Sequence, residues 1–268
     1  LQQLAFGKES TIQIDSFPRF LEALRKRRQD FKALGAVATD HGTLAGEGAY
    51  TVVLLDTQAE ELFQKALAGT LESAEAAKLR GHLLVEMAGM SCEDGLVMQL
   101  HAGVFRNHND ELMQRFGPDK GGDIPVALEL TRALRPLLQA HGNNPKLRLV
   151  VFVLDETVYT RELAPLAGVY PALQVGAPWW FHDSRNGMRR YLEQLTETAG
   201  IQNLAGFNDD ARALPSIAVR HQLWRRAVCD WAAQMLTQHL MTEPEALKAV
   251  FDLSVGRAAH VYRLPVPV

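Results

Sequence analysis

The chain has few cysteines and no excess of positive charge, and it lacks long apolar runs and glycine-rich phosphate turns. Its 268 residues contain two cysteines, Cys92 and Cys229, which fit no metal or redox spacing. A disulfide framework is excluded, and a reducing cytoplasm is the expected compartment. Lys and Arg number 28 against 31 Asp and Glu, a formal charge of −3. That is not the basic balance of a nucleic-acid binder. No apolar run approaches the roughly 20 residues of a bilayer-spanning helix, so no membrane partner is expected. Neither G-x-G-x-x-G nor a Walker A motif occurs. There is no linker-like tract and no internal repeat. Leu1 stands where a methionine is usual, which reads as a chain cut from inside something longer.

What is present suits a globular core: 47% of the residues are hydrophobic and 22% charged. Apolar runs alternate with helical patterns. Helices are expected over 16–31, 57–67, 73–88, 125–139, 185–198, 217–240 and 243–259. Strands are expected over 34–39, 95–100, 147–154, from 173 towards Trp179, and over 204–207. This alternation predicts an α/β protein with a parallel sheet. The strands run into Asp40-His41, His101, Asp155, Trp179-Trp180 and Asp210-Ala211-Arg212. Active sites of parallel α/β folds lie beyond the carboxyl ends of the strands, so a (β/α) barrel rim is the expected site. A doubly wound sheet is the alternative. Five strands do not close an eight-stranded barrel, which leaves three unaccounted for.

Four stretches at these strand ends carry a family resemblance. They are Ala38-Thr39-Asp40-His41-Gly42; Met98-Gln99-Leu100-His101-Ala102-Gly103-Val104-Phe105-Arg106-Asn107; Trp179-Trp180-Phe181-His182-Asp183 followed by Gly187-Met188; and Asp210-Ala211-Arg212. In this order they resemble the uronate (glucuronate) isomerases of the amidohydrolase superfamily. The family usually has D-S-R where this chain has Asp210-Ala211-Arg212. It also carries a His-x-His metal motif on its first barrel strand. No two of the nine histidines here lie two apart. The resemblance therefore implies a (β/α)8 TIM barrel of the metal-dependent hydrolase type. Residues 1–268 would be the C-terminal part of that single domain, about strands four to eight, with helical insertions at 42–94.

The resemblance implies aldose–ketose isomerisation of hexuronates, D-glucuronate to D-fructuronate and D-galacturonate to D-tagaturonate. Moving the carbonyl from C1 to C2 needs a base near C2, donors to the enediol oxygens and a cation for the carboxylate. Asp210 is the first candidate for base or metal ligand, and His101 for proton shuttle. Arg212 is the candidate carboxylate anchor, with Arg106 a second. Trp179 is expected to stack on the sugar ring, and Asp40 to hold a hydroxyl or orient a neighbour. Trp180 is expected to face away, as strand neighbours alternate. One divalent metal, zinc, is implied, with its His-x-His ligands absent from this chain. The expected partner is a small hexuronate, and a homo-oligomer is left open. A metal-dependent hydrolase and an inactive fragment are the alternative readings. The run Arg25-Lys26-Arg27-Arg28 is expected to be a solvated helix face. Trp224, Trp231 and Met235 are expected in the core, with Cys229 buried beside them.

Overall fold

The computed structural model describes residues 12–43, 48–211 and 213–266. The first helix, α1 (Phe17–Ala33), starts from an extended Ser16 with Pro18 in its first turn, where a missing N–H costs nothing. It stops because Gly35 takes a left-handed conformation (φ +95°). The amides of Gly35 and Ala36 then return to the carbonyls of Lys32 and Phe31. This moves the first strand. The expectation was 34–39, but Leu34 is 83% exposed and belongs to the helix-ending turn. The strand is β1 (Ala38–Gly42).

Three strands follow in the same sheet: β2 (Val97–Ala102), β5 (Leu149–Val153) and β6 (Leu173–Val175). Every pairing is parallel, in the order β1-β2-β5-β6. The expected fifth strand is reduced to one parallel bridge, Val175 with Leu204, beyond β6. Spatial order thus equals chain order. A doubly wound sheet reverses direction at a switch point, and this sheet does not. β5, whose residues are all buried, is a Leu/Val/Phe run because both faces of a parallel sheet are covered. From the end of β2 rises a flap of two short antiparallel strands, β3 (Val104–Phe105) and β4 (Ile124–Pro125), around helix α4 (Asp110–Phe116).

The helix expected over 125–139 is mostly absent. Pro125 lies in β4, and the helix, α5, covers Arg135–His141. Glu162 explains the difference. Its carboxylate accepts the amides of Leu130 and Thr131 and the Thr131 hydroxyl, which holds 130–131 in a turn. Pro136 then opens α5.

Two apolar clusters form. The larger packs the sheet against α3 (Ser73–Asp94), α5, α6 (Ala164–Val169), α7 (Arg185–Leu195) and the C-terminal helices. The smaller joins α1, α2 (Asp56–Ala68) and α3 through Phe17, Phe20, Phe63 and Met90. The basic run is not wholly solvated. Arg28 is 6% exposed and pairs with Asp94 at 2.6 Å and with Ser91. An i, i+3/i+4 stripe turns one residue of four inward, which the run alone does not show.

The C-terminal region consists of α8 (Leu214–Thr237), α9 (Glu243–Phe251), a π-helical turn at Asp252–Gly256 and α10 (Arg257–Tyr262). Trp224 and Trp231 are buried as expected and Met235 packs on the core, but Cys229 is exposed. It falls on the outer face of α8. The π turn changes the helix phase before α10. Arg257, 7% exposed, reaches the sheet and donates to the Leu204 carbonyl and to Gln202 and Gln174. Among the described residues no helix is long and apolar enough to cross a membrane.

Candidate active site

A cavity of about 380 Å³ opens beyond the carboxyl ends of the strands. Period-two alternation chooses its lining. Asp40 stands opposite Gln99, and Gly42 opposite His101, which in turn faces Phe152. All five line the cavity. The buried Met98 and Leu100 occupy the other parity of β2.

His101 is held on three sides. Its Nδ1 lies 2.6 Å from Asp40 Oδ1. Its ring stacks on Phe152 (4.4 Å between centroids, 10° between planes) and meets Trp179 edge-on at 4.6 Å. Burial pushes the Asp40 carboxyl up, but the hydrogen bond and charge of His101 outweigh it and hold it below the usual range. An ionised Asp40 on Nδ1 fixes the ring and leaves Nε2 as its second proton-carrying position. The neighbouring His41 does not line this cavity. Burial first, then the charge of Arg28, pushes its imidazole down to about 4 against the opposing pull of Asp40.

Trp179 is 6% exposed. Its indole N–H donates to Asp210 Oδ2 at 3.0 Å, so the one ring touches both His101 and Asp210. Trp180 also lines the cavity, against the expectation that it faces away. The strand ends at Val175, and Trp180 has φ +47° at the start of a 3-10 turn, Trp180–His182, where strand alternation no longer applies. Arg106 reaches in from the flap, its guanidinium 5.8 Å from the Trp180 ring centroid. It lies 3.4 Å from the buried Asp123 and 3.6 Å from Asp119.

Asp40, His101, Arg106, Trp179 and Asp210 are therefore brought together around one cavity. Arg212 lies outside the described residues. Asp155 is not in the cavity wall and accepts the amides of Leu128 and Thr157 instead.

Sequence reasoning missed several lining residues. Asp183 and Gln99 stand inside the quoted motifs but had been given no role. Asn208, Asp209 and Arg220 also line the cavity. Arg220, on α8, is ion-paired with both Asp183 and Asp209. Tyr262, on α10, donates its hydroxyl to Gln99 Oε1 at 2.6 Å and accepts from Asn208 Nδ2 at 3.4 Å. Arg220 and Tyr262 sit in helices and carry no motif that could have marked them.

A metal fits the described residues poorly. Among them no group of three or more His, Cys, Asp or Glu side chains is placed to hold an ion. Asp210 is a single carboxylate with one oxygen already on the Trp179 indole.

A parallel-sheet α/β protein with carboxylate, imidazole and guanidinium converging on a strand-end cavity has the layout of a small-molecule enzyme. Comparison with known proteins agrees and goes further. The chain belongs to the glucuronate isomerase family, whose model matches residues 3–262. It is 51% identical over 258 residues to the uronate isomerase of Nostoc punctiforme, covering 96% of this chain and 54% of that protein. The crystal structure of glucuronate isomerase from Caulobacter crescentus superposes with a TM-score of 0.90 at 47% identity, over 94% of this chain and 52% of that one. The uronate isomerase structure from Thermotoga maritima gives 0.86 at 32% identity, over 92% and 54%. The chain spans about half the length of the relatives it matches.

Proposed function

We propose that the cavity binds a hexuronate and serves its aldose–ketose isomerisation, D-glucuronate to D-fructuronate and D-galacturonate to D-tagaturonate. The observation that carries this reading is the convergence of Asp40, His101, Arg106, Trp179 and Asp210 on one cavity in a member of the glucuronate isomerase family.

The chemistry assigned to these residues is proton transfer. A base takes the C2 proton, the enediol forms, and C1 receives a proton while the O2 hydroxyl proton moves to O1. Asp210 and His101 are the two proton carriers, bridged by the Trp179 ring. Asp40 orients His101 through Nδ1. Trp179 is too buried to offer much of its face, so sugar contact falls more to Trp180. Arg106 anchors the carboxylate from the flap, and Arg212 is proposed as its partner. The described side chains do not compose a metal site, so no step is routed through zinc.

The sheet is read as one wall of a (β/α)8 barrel, its four strands and the Leu204 bridge as the fourth to eighth, and 42–94 as a helical addition to it. The unreversed parallel strand order is what supports the barrel reading. The test is 1H NMR of each uronate in D2O with purified protein. Ketose formation with deuterium incorporation from solvent is expected. Unchanged aldoses, without binding detected by tryptophan fluorescence, would refute the proposal.

A further inference from the structure

Two segments beyond the strand ends form one part of the cavity lining. One follows β6 and holds Trp179 to Asp183. The other follows the Leu204 bridge and holds Asn208 to Asp210. They are tied at two places. The first tie is the hydrogen bond from Trp179 to Asp210. The second is Arg220, whose Nη2 meets Asp183 and whose Nε meets Asp209. The ties begin on adjacent residues, Asp209 and Asp210, and end four residues apart, at Trp179 and Asp183. Together they close a ring of contacts around the cavity wall.

We propose that Arg220 is the positioning residue of this site: its guanidinium clamps the two segments and thereby fixes Asp210 against the Trp179 indole. Charge and burial carry the inference. Asp183 is 20% exposed and Asp209 only 2%, so Asp209 has little access to solvent to spread its charge. Asp183, Asp209 and Asp210 place three carboxylates in the cavity lining. Arg220 is the cation paired between two of them. Without it the buried Asp209 carboxylate is left unpaired and Asp183 loses its cation, so nothing joins the two segments at this point. Arg220 also lines the cavity, yet both its carboxylate contacts are internal to the protein. Its Nε and Nη2 are both engaged in holding the two segments. One oxygen of Asp209, Oδ2, is buried without a partner. The carboxylate therefore depends on Arg220 for its stabilisation.

The test uses the full chain with 15N-labelled tryptophan, the Trp179 indole resonance being identified with Trp179→Phe. Arg220→Gln is expected to move that resonance and to speed its hydrogen exchange about tenfold, the loss of one hydrogen bond of ordinary strength. The indole of Trp224, bonded to the Leu253 carbonyl at 2.9 Å, is expected to stay put and report an intact core. If Arg220→Gln does not fold, Arg220→Lys and Asp183→Asn supply the same readout. Lys keeps the charge but not the two-armed fork, so an intermediate exchange rate is expected. An unchanged Trp179 resonance in any of these folded variants would overturn the clamp.

The kinetic arm rests on the proposed isomerase reading. There kcat is expected to fall at least about tenfold with KM nearly constant, and Lys is expected to restore part of it. A raised KM at constant kcat would make Arg220 a substrate anchor and overturn the proposal. A wild-type chain that neither binds nor converts uronates would count against the proposed function alone, because the indole readout still decides the clamp.

Discussion

Replacing Arg257 with methionine is expected to cost the fold about 2–4 kcal/mol. The guanidinium is 7% exposed and makes three hydrogen bonds: 3.0 Å to the Leu204 carbonyl, 3.1 Å to Gln202 and 2.8 Å to Gln174. All three acceptors are neutral. A hydrogen bond from a charged donor contributes about 1.5 kcal/mol or somewhat more, so three give roughly 4–5 kcal/mol. Against this stands the cost of taking the charge out of water. That cost is visible in the guanidinium itself, since burial pulls its pKa below the usual arginine value. Methionine removes the cost and fills part of the volume, which offsets roughly a third to a half of the loss. It also leaves Gln174 Oε1, on a 5%-exposed residue, without its donor, which adds to the loss. The loss should therefore win. Urea unfolding followed by tryptophan fluorescence would show it as a fall in midpoint of about 1–2 M at an ordinary slope. A variant as stable as the parent would refute the reasoning, because it would mean that desolvation of the buried charge outweighs all three bonds. The same variant tests how α10 is held, since that helix carries Tyr262 to Gln99 in the cavity.

Other expectations follow from the same geometry. His41, depressed to about 4, binds a proton in the unfolded chain near pH 6.5 but not in the folded one. Its neutral form stabilises fully above about pH 6.5, and that contribution is lost as pH falls towards 4, at up to about 1.4 kcal/mol per pH unit. His41→Gln should flatten the fall in stability between those values in urea titrations, and an unaltered slope would exclude His41 as its source. If the proposed isomerisation holds, Asp210→Asn should lower turnover by about a hundredfold or more with little change in melting temperature, and near-normal turnover by NMR would remove Asp210 from the proposed proton path. Gly187→Ala should destabilise by about 2 kcal/mol or more, read from the melting temperature, because its new Cβ would lie 2.3 Å from the His182 carbonyl oxygen.

Much of the site was legible because it lies where strands end. Asp40, His101, Trp179 and Asp210 each follow an apolar run, and the direction of a parallel strand sends such residues to one rim. Gly187 was quoted only as part of a motif. Its reason is steric and appears once α7 is seen to start against the His182 turn. The flap's short strands and α4 were not read from the sequence.

The sequence by itself determined the α/β class, the parallel strands, the rim and four of the residues that meet there, Asp40, His101, Trp179 and Asp210, while Arg106 was marked by the family resemblance. These depend on local patterns: period two in strands, 3.6 in helices, and polar groups where apolar runs stop. The tertiary structure alone decided what holds those residues in place. It moved the first strand to 38–42 because Gly35 ends α1, and it turned Trp180 into the cavity because the strand had already ended. It brought Arg220 from α8 to Asp183 and Asp209, and Tyr262 to Gln99 across 163 residues. Partners so far apart in the chain leave no spacing to read. Their contact is set by helix phase and packing, and those exist only after the chain has folded.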